Sequence, residues 1–560
     1  MRLLKQPGFR GSGVQGFRGQ RPGSRVGRRI AFLLLGLALG LSAQPGARYL
    51  IITHDNFYDA IQPLAQWKHQ KGMSDTVVKL SQVGSTANQI RSFIVNAWNT
   101  WNPRPEFLLL VGSGYFIPAF ARGRGQDALY TDGPFADMTG DYRAELAGGR
   151  LPCKTPRQCS VMVAKTLAYE RTPYLADTLW FRRGTTIVAD SGDSDGWLYW
   201  ADARFMAGLA GATGYVGIDS LASSRHDDQN DIVESVNDGT SFVLYRGTAG
   251  ANWWLPFMVN PAQTNNGTRL PIICSFTCQT EALNRYDSMV GETWLRVGTP
   301  QALKGAVAFL GNTHNGISVA PKRSAMTRGF FNGVFVESLP HLGHAALRGK
   351  DSIFARFHDS LEYYGFNLLG DPELCLWTST PHALQVTYDS VIPGPGMFAV
   401  SVNREGSPIA GALACVMDGN EVYEYGYTDS TGSVVFDVNP RQPGTLLVTV
   451  TAYNCIPHEG SARIAAGDLT EPPGPRGALR TPRLLSVSPN PGSGRFSIRA
   501  SSAERVTVHD VSGKLVAMLQ THEGEAVWNA GGLPGGVYLV TAADSSGERV
   551  AQPVRLVRSR

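Results

Sequence analysis

Short apolar runs alternate with amphipathic stretches through the first two thirds of the chain. Tyr49-Leu50-Ile51-Ile52-Thr53 has the length and branching of a buried strand. Over residues 56–72, Phe57, Ile61, Leu64, Ala65 and Trp67 fall near one face, which predicts a helix. A second strand is predicted over 75–80 and a second helix over 86–98, where Ile90, Phe93, Ile94 and Ala97 form a stripe. Residues 106–112 form a third strand ending in glycine, and a helix over 161–174 closes a first half, 48–180. A second half, 181–380, repeats the alternation. It has predicted strands at 184–190, 241–245, 270–276 and 305–311, and helices at 197–209, 231–236, 288–296 and 354–364. Strands and helices in alternation predict an α/β fold with a parallel sheet.

After His382 the period shortens to that of strands alone. Predicted strands at 384–388, 397–402, 412–417, 421–428, 433–438 and 446–452 are spaced as in an Ig-like β-sandwich, residues 382–466. Residues 467–483 are rich in Pro, Gly and Arg and read as a linker. Residues 484–560 form a second small β domain.

Charge changes the picture only when it is divided along the chain. The formal charge is +5, but residues 1–43 hold eight of the 51 basic residues and none of the 46 acidic ones. The remainder is net negative by three, so it lacks the basic excess that nucleic-acid binding requires. The apolar run 30–41, preceded by Arg25, Arg28 and Arg29 and closing in Leu41-Ser42-Ala43, reads as a secretory signal; an N-terminal membrane anchor is the other reading. Seven cysteines are few for an exported chain of 560 residues. Cys153 with Cys159, and Cys415 with Cys455, are candidate pairs that spacing leaves open. No Cys or His pattern marks a metal site.

Candidate chemistry gathers between Ser241 and Glu281. Two apolar runs each feed a loop of small and polar residues. One loop is Arg246-Gly247-Thr248-Ala249-Gly250, followed by Trp253-Trp254; the other is Thr277-Cys278-Gln279-Thr280. Neighbouring parallel strands deliver such loops to one sheet edge, where ligands bind. Cys278, just past its strand, is therefore a candidate nucleophile, or else a small buried residue beside Cys274. A free thiol, with a pKa of about 8.5, is only a few per cent ionised at neutral pH and needs a base or a cation beside it. Backbone N–H groups of the loop holding Gly247 and Gly250 are candidates for the oxyanion site. Trp253 and Trp254 either floor a substrate groove or pack in the core.

If strands 241–245, 270–276 and 305–310 are adjacent in that order, His314 emerges on the same edge as Cys278. It is then a candidate base; a solvated turn histidine is the competing reading. His226, in a polar stretch, is a weaker candidate. Asp193 and Asp195 have the spacing of a metal loop, but the distant Glu of a calcium hand is missing, and a helix-start turn is the preferred reading.

Tyr245, Gly247 and Cys278 resemble the site of the gingipain-type cysteine peptidases, where a strand ending in Tyr-x-Gly-His-Gly supplies the base and the next strand ends in the nucleophile. Thr248 stands where that family has its histidine. Asp132, Gly140-Asp141 and Gly149-Arg150-Leu151-Pro152 resemble a further family signature, and 366–374 its end motif. The resemblance implies a caspase-like α/β module followed by two all-β domains. It implies a secreted or cell-surface cysteine endopeptidase acting on proteins or peptides, with no redox or organic cofactor. Calcium is the one ion it brings into consideration, through the family's acidic loops. Thr248 keeps a second reading open, a catalytically inactive homologue serving as a surface-binding or secretion-associated protein. Val487-Ser488-Pro489-Asn490-Pro491, Asp510-Val511-Ser512-Gly513-Lys514 and the run 533–540 resemble the C-terminal sorting domain of type IX secretion cargo. That likeness implies outer-membrane secretion machinery as a partner.

Overall fold

A computed structural model describes residues 44–124, 128–284, 289–419 and 421–465, and within the C-terminal region 485–488, 494–500, 503–510, 515–522, 524–534, 536–544 and 554–558. The expected signal segment 1–43, the linker 467–483, Pro489-Asn490-Pro491 and the turn 511–514 lie outside the described residues. Residues 1–467 and 468–560 form separate compact units.

Ten strands of the first unit make one sheet. The first half supplies β1 (Tyr49–Thr53), β2 (Asp75–Lys79), β3 (Phe107–Val111) and β4 (Ala147–Leu151). The second half supplies β5 (Arg183–Val188), β6 (Gly217–Ala222), β7 (Phe242–Arg246), β8 (Ile272–Ser275), β9 (Ala308–Asn312) and β10 (Phe366–Leu369). Their order is β6-β5-β7-β8-β9-β10-β4-β3-β1-β2. Every described pair is parallel except β9–β10, which is antiparallel. The sheet is therefore mixed, which corrects the parallel expectation. The cause is the connection 313–365, which brings β10 back alongside β9 with Phe366 opposite Asn312. β10 also pairs parallel with β4, so it joins the two halves into one sheet.

Helices cover both faces: α1 (Tyr58–Gln70), α2 (Ala87–Thr100), α3 (Pro156–Glu170), α4 (Gly196–Ala212), α5 (Gln229–Asp238), α6 (Val290–Arg296), α7 (Ala320–Phe335), α8 (Leu342–Phe357) and α9 (Ser360–Gly365). Alternate strand residues feed different cores, as a pleated strand requires. Val243, Tyr245, Ile273 and Phe309 pack on one face, and Phe242, Leu244, Ile272, Cys274 and Leu310 on the other. The single helix expected over 354–364 is α8 and α9. His358 turns the chain at φ 51°, and Asp359 then caps α9 by accepting from the Glu362 N–H at 2.9 Å. Among the described residues no helix is long and apolar enough to cross a membrane.

Residues 385–464 form two all-β sheets that close on a common core including Phe398, Val400, Phe436, Val448 and Val450. All seven cysteines are free thiols, so neither candidate disulfide is formed. Within the C-terminal unit, two antiparallel sheets share a core of Phe496, Ile498, Val506, Trp528 and Val540.

Candidate active site

The ends of β7, β8 and β9 lie side by side, in the order expected from the sequence. After β7 the chain must turn tightly at Gly247. A Cβ there would stand 2.5 Å from that of Ala189 and 2.8 Å from the Tyr245 hydroxyl. Tyr245 donates that hydroxyl to the Thr248 carbonyl at 2.7 Å, and Thr277 donates to the Gly247 carbonyl, so the two loops are tied together. Gly250 is exposed in a short hairpin that pairs Ala249–Gly250 with Asn252–Trp253.

Trp253 is fully buried. Its ring stacks on Tyr245 with centroids 4.5 Å apart, and its Nε1 donates to Ser275 Oγ at 2.9 Å. It is a core residue and floors no groove, which corrects that expectation. Trp254 is 55% exposed and, with Leu255, Thr248, Asp193 and Gly192, borders a cleft of about 300 Å³.

Thr248 occupies one side of this edge. Its Oγ1 donates to Asp193 Oδ2 at 3.0 Å, an oxygen that also accepts from Tyr199 Oη at 3.2 Å. Asp193 Oδ1 accepts from the Asp195 N–H at 2.9 Å, and α4 starts directly afterwards. The two aspartates thus shape a helix-start turn. His226 is exposed in a left-handed turn.

Cys278 is partly exposed, and Arg323 Nη1 donates to its Sγ at 2.9 Å. The same guanidinium donates through Nη2 to the His314 carbonyl at 3.3 Å and through Nε to Glu362 Oε1 at 2.7 Å. His314 is 4% exposed, and its Nδ1 lies 2.8 Å from Glu362 Oε2. Asn312 completes the mount: its side chain donates to Glu362 Oε1 at 2.9 Å and accepts from the His314 N–H at 2.7 Å.

One fully buried carboxylate therefore orients both a histidine and the arginine that touches the thiol. Burial works against the charge on Glu362, but Arg323 and His314 hold its carboxyl below the usual range. Burial likewise opposes the charge on Arg323, yet Glu362 and Cys278 more than offset it. With Glu362 ionised, His314 Nδ1 must be the donor, and Nε2 is then the basic nitrogen.

Sequence reasoning named Cys278 and His314 and missed Arg323 and Glu362. Arg323 sits in the first turns of α7, a helix buried around most of its circumference, which leaves no amphipathic stripe to find. Glu362 follows Asp359 by three residues, the spacing of a helix start, and nothing in that local pattern points to chemistry.

The Asp132 signature is structural. Both of its carboxylate oxygens accept from Arg150 at 2.7 Å, and Arg150, fully buried, donates also to the carbonyls of Gly112 and Ile117. Asp137 accepts from the Gly140 and Tyr142 N–H groups and from Tyr364 Oη. These carboxylates hold turns and strand ends of the fold together.

Known proteins share the fold of this chain. Residues 42–377 match peptidase family C25, and residues 486–554 match the secretion system C-terminal sorting domain. Gingipain R2 of Porphyromonas gingivalis is 23% identical over 518 residues, 89% of this chain and 66% of its own length. Lys-gingipain of the same species is 22% identical over 450 residues, 73% of this chain and 25% of its own. The chain thus spans about two thirds of the first relative and a quarter of the second. The crystal structure of the Arg specific cysteine proteinase gingipain R superposes with a TM-score of 0.66 at 20% identity, covering 76% of this chain and 99% of that one. At that identity the likeness shows the fold, a caspase-like mixed sheet. The sorting domain makes this a secreted or cell-surface protein. With the match over 42–377 and the shared fold beneath it, this chain belongs to peptidase family C25, the gingipain family.

Proposed function

We propose that this chain is a cysteine endopeptidase in which Cys278 attacks the peptide carbonyl and His314, oriented by Glu362, serves as the base. The observation that carries this is the shared guanidinium of Arg323, 2.9 Å from Cys278 Sγ and 3.3 Å from the His314 carbonyl. The guanidinium is placed to pair with a thiolate, the form that attacks. Sγ forms a bond to the carbonyl carbon, and the carbonyl π electrons move onto oxygen. The loop holding Gly247 and Gly250 offers backbone N–H groups to that oxyanion. Collapse breaks the C–N bond, and the proton taken up by His314 leaves with the amine. Water then hydrolyses the thioester and releases the acid.

The relatives' names, Lys-gingipain and Arg specific gingipain R, and the carboxylate of Asp193 in the cleft beside Trp254 support a preference for substrates with a cationic side chain. The sorting domain supports export through type IX machinery. We read the β segment 382–466 as an Ig-like spacer, supported by its two sheets closed on one core.

Thr248, in the position of the family histidine, favours the second reading, an inactive scaffold that binds rather than cuts. Hydrolysis of a mixed peptide library by the parent, Cys278→Ala and His314→Ala decides between them. Cleavage that both substitutions abolish is the expected result. A parent that is inert under reducing conditions supports the binding scaffold.

A further inference from the structure

We propose that His341, Glu373 and Cys375 form a binding site for one zinc-like divalent cation, well away in sequence from the catalytic loops. The three side chains offer one nitrogen, one oxygen and one sulfur, all within 4.8 Å of one another. His341 Nδ1 lies 3.7 Å from Glu373 Oε1 and 3.9 Å from Cys375 Sγ. Ligands on a tetrahedral zinc stand about 3.4–3.6 Å apart, given Zn–N, Zn–O and Zn–S bonds of about 2.0–2.3 Å. His341 Nδ1 thus stands within a few tenths of an ångström of that spacing from each of the other two ligands.

Backbone pairing holds the two softer ligands together. His341, just before α8, faces Cys375 in an antiparallel bridge. The Leu342 N–H donates to the Leu374 carbonyl at 3.0 Å, and the Leu376 N–H to the Pro340 carbonyl at 2.8 Å. Nδ1 now contacts the Glu373 carbonyl at 3.1 Å and would exchange that bond for the metal. The ring of His344, 5.6 Å from that of His341, is the nearest further imidazole.

Charge argues in the same direction. Lys68, Lys71, Glu170, Asp371 and Glu373 are buried together, three carboxylates against two ammonium groups. Both ammonium groups meet Glu373 at Oε2, at 2.5 and 2.6 Å, while Oε1 is the oxygen turned toward His341. The group is one negative charge in excess in a place where uncompensated charge is costly. A divalent cation bound to a thiolate adds one net positive charge and neutralises it. His341 and Cys375 are each partly exposed, which gives an ion a way in.

The site would fasten the start of α8 to the segment that leaves β10, a structural role distinct from peptide hydrolysis. The test uses the full chain carrying Cys278→Ala, so that the thiol at the active site does not compete. After incubation with zinc and dialysis, one zinc per chain is expected by elemental analysis, and His341→Gln and Cys375→Ser should each lose it. Cobalt in place of zinc should give a thiolate-to-metal charge-transfer band that Cys375→Ser removes. That band is read in the Cys278→Ala protein itself, so it answers the question even if a further variant fails to fold. No retained zinc and no such band, or equal occupancy in Cys375→Ser, would overturn the proposal.

Discussion

At the scale of single residues, the site rests on Arg323. A hydrogen bond to a charged group contributes about 1.5–3 kcal/mol. Arg323→Met, which cannot donate, should therefore slow alkylation of Cys278 by about ten- to a hundredfold, read by mass spectrometry of the modified peptide. Unchanged reactivity would remove the guanidinium from the chemistry. Thr248 gives a second, independent prediction. Its neighbour Asp193 would orient an imidazole as Glu362 orients His314. His314→Ala should lower kcat/KM by about 10²–10⁴-fold in the parent, but by less than tenfold in a Thr248→His background. Equal losses in both would show that the two positions do not act as alternative bases. Cys278 and His314 were legible because each stands within three residues of the end of an apolar strand. Arg323 lies 45 residues beyond Cys278 and Glu362 a further 39, on helices whose local patterns announce only packing.

At the scale of elements, the β7–β8 edge explains why two adjacent tryptophans behave differently. Trp253 is stacked and buried, so Trp253→Ala should cost about 3–5 kcal/mol in urea unfolding. Trp254 stands at the cleft, so Trp254→Ala should raise KM and leave the unfolding midpoint in place. The reverse assignment of effects would contradict the placement of the hairpin. Strands β1, β3, β7, β8 and β9 could be read directly from their apolar runs. The antiparallel entry of β10 could not, since Phe366–Leu369 is four residues long and its direction is set by how α7, α8 and α9 return the chain.

At the scale of the whole molecule, the order of modules was visible in the change from mixed to purely β periodicity, but the buried charge cluster joining α1, α3 and the end of the α/β module was not. Its members are spread from Lys68 to Glu373, and only the fold assembles them. Breaking such a group on one side leaves a buried charge uncompensated, so Lys68→Met should destabilise by about 3–5 kcal/mol. The cluster also sets an acid limit. Burial opposes the charge on Glu373, but Lys68 and Lys71 hold its carboxyl far below the usual range. Its folded pKa is below its unfolded one, so its contribution is complete above the unfolded value and is lost as pH falls toward the folded one. Unfolding free energy should be level near neutrality and decline below about pH 4. A maximum at pH 3 would contradict this.

The most direct test of the site is the alkylation rate of Cys278 at pH 6 beside an unstructured thiol peptide, with each cysteine followed separately by mass spectrometry. An unperturbed thiol is under about 1% ionised there. Activation by Arg323 predicts that Cys278 reacts faster than the peptide and faster than the other six cysteines. A Cys278 that reacts no faster than the peptide would contradict it, and the chain would then be a C25 scaffold without the chemistry of its family.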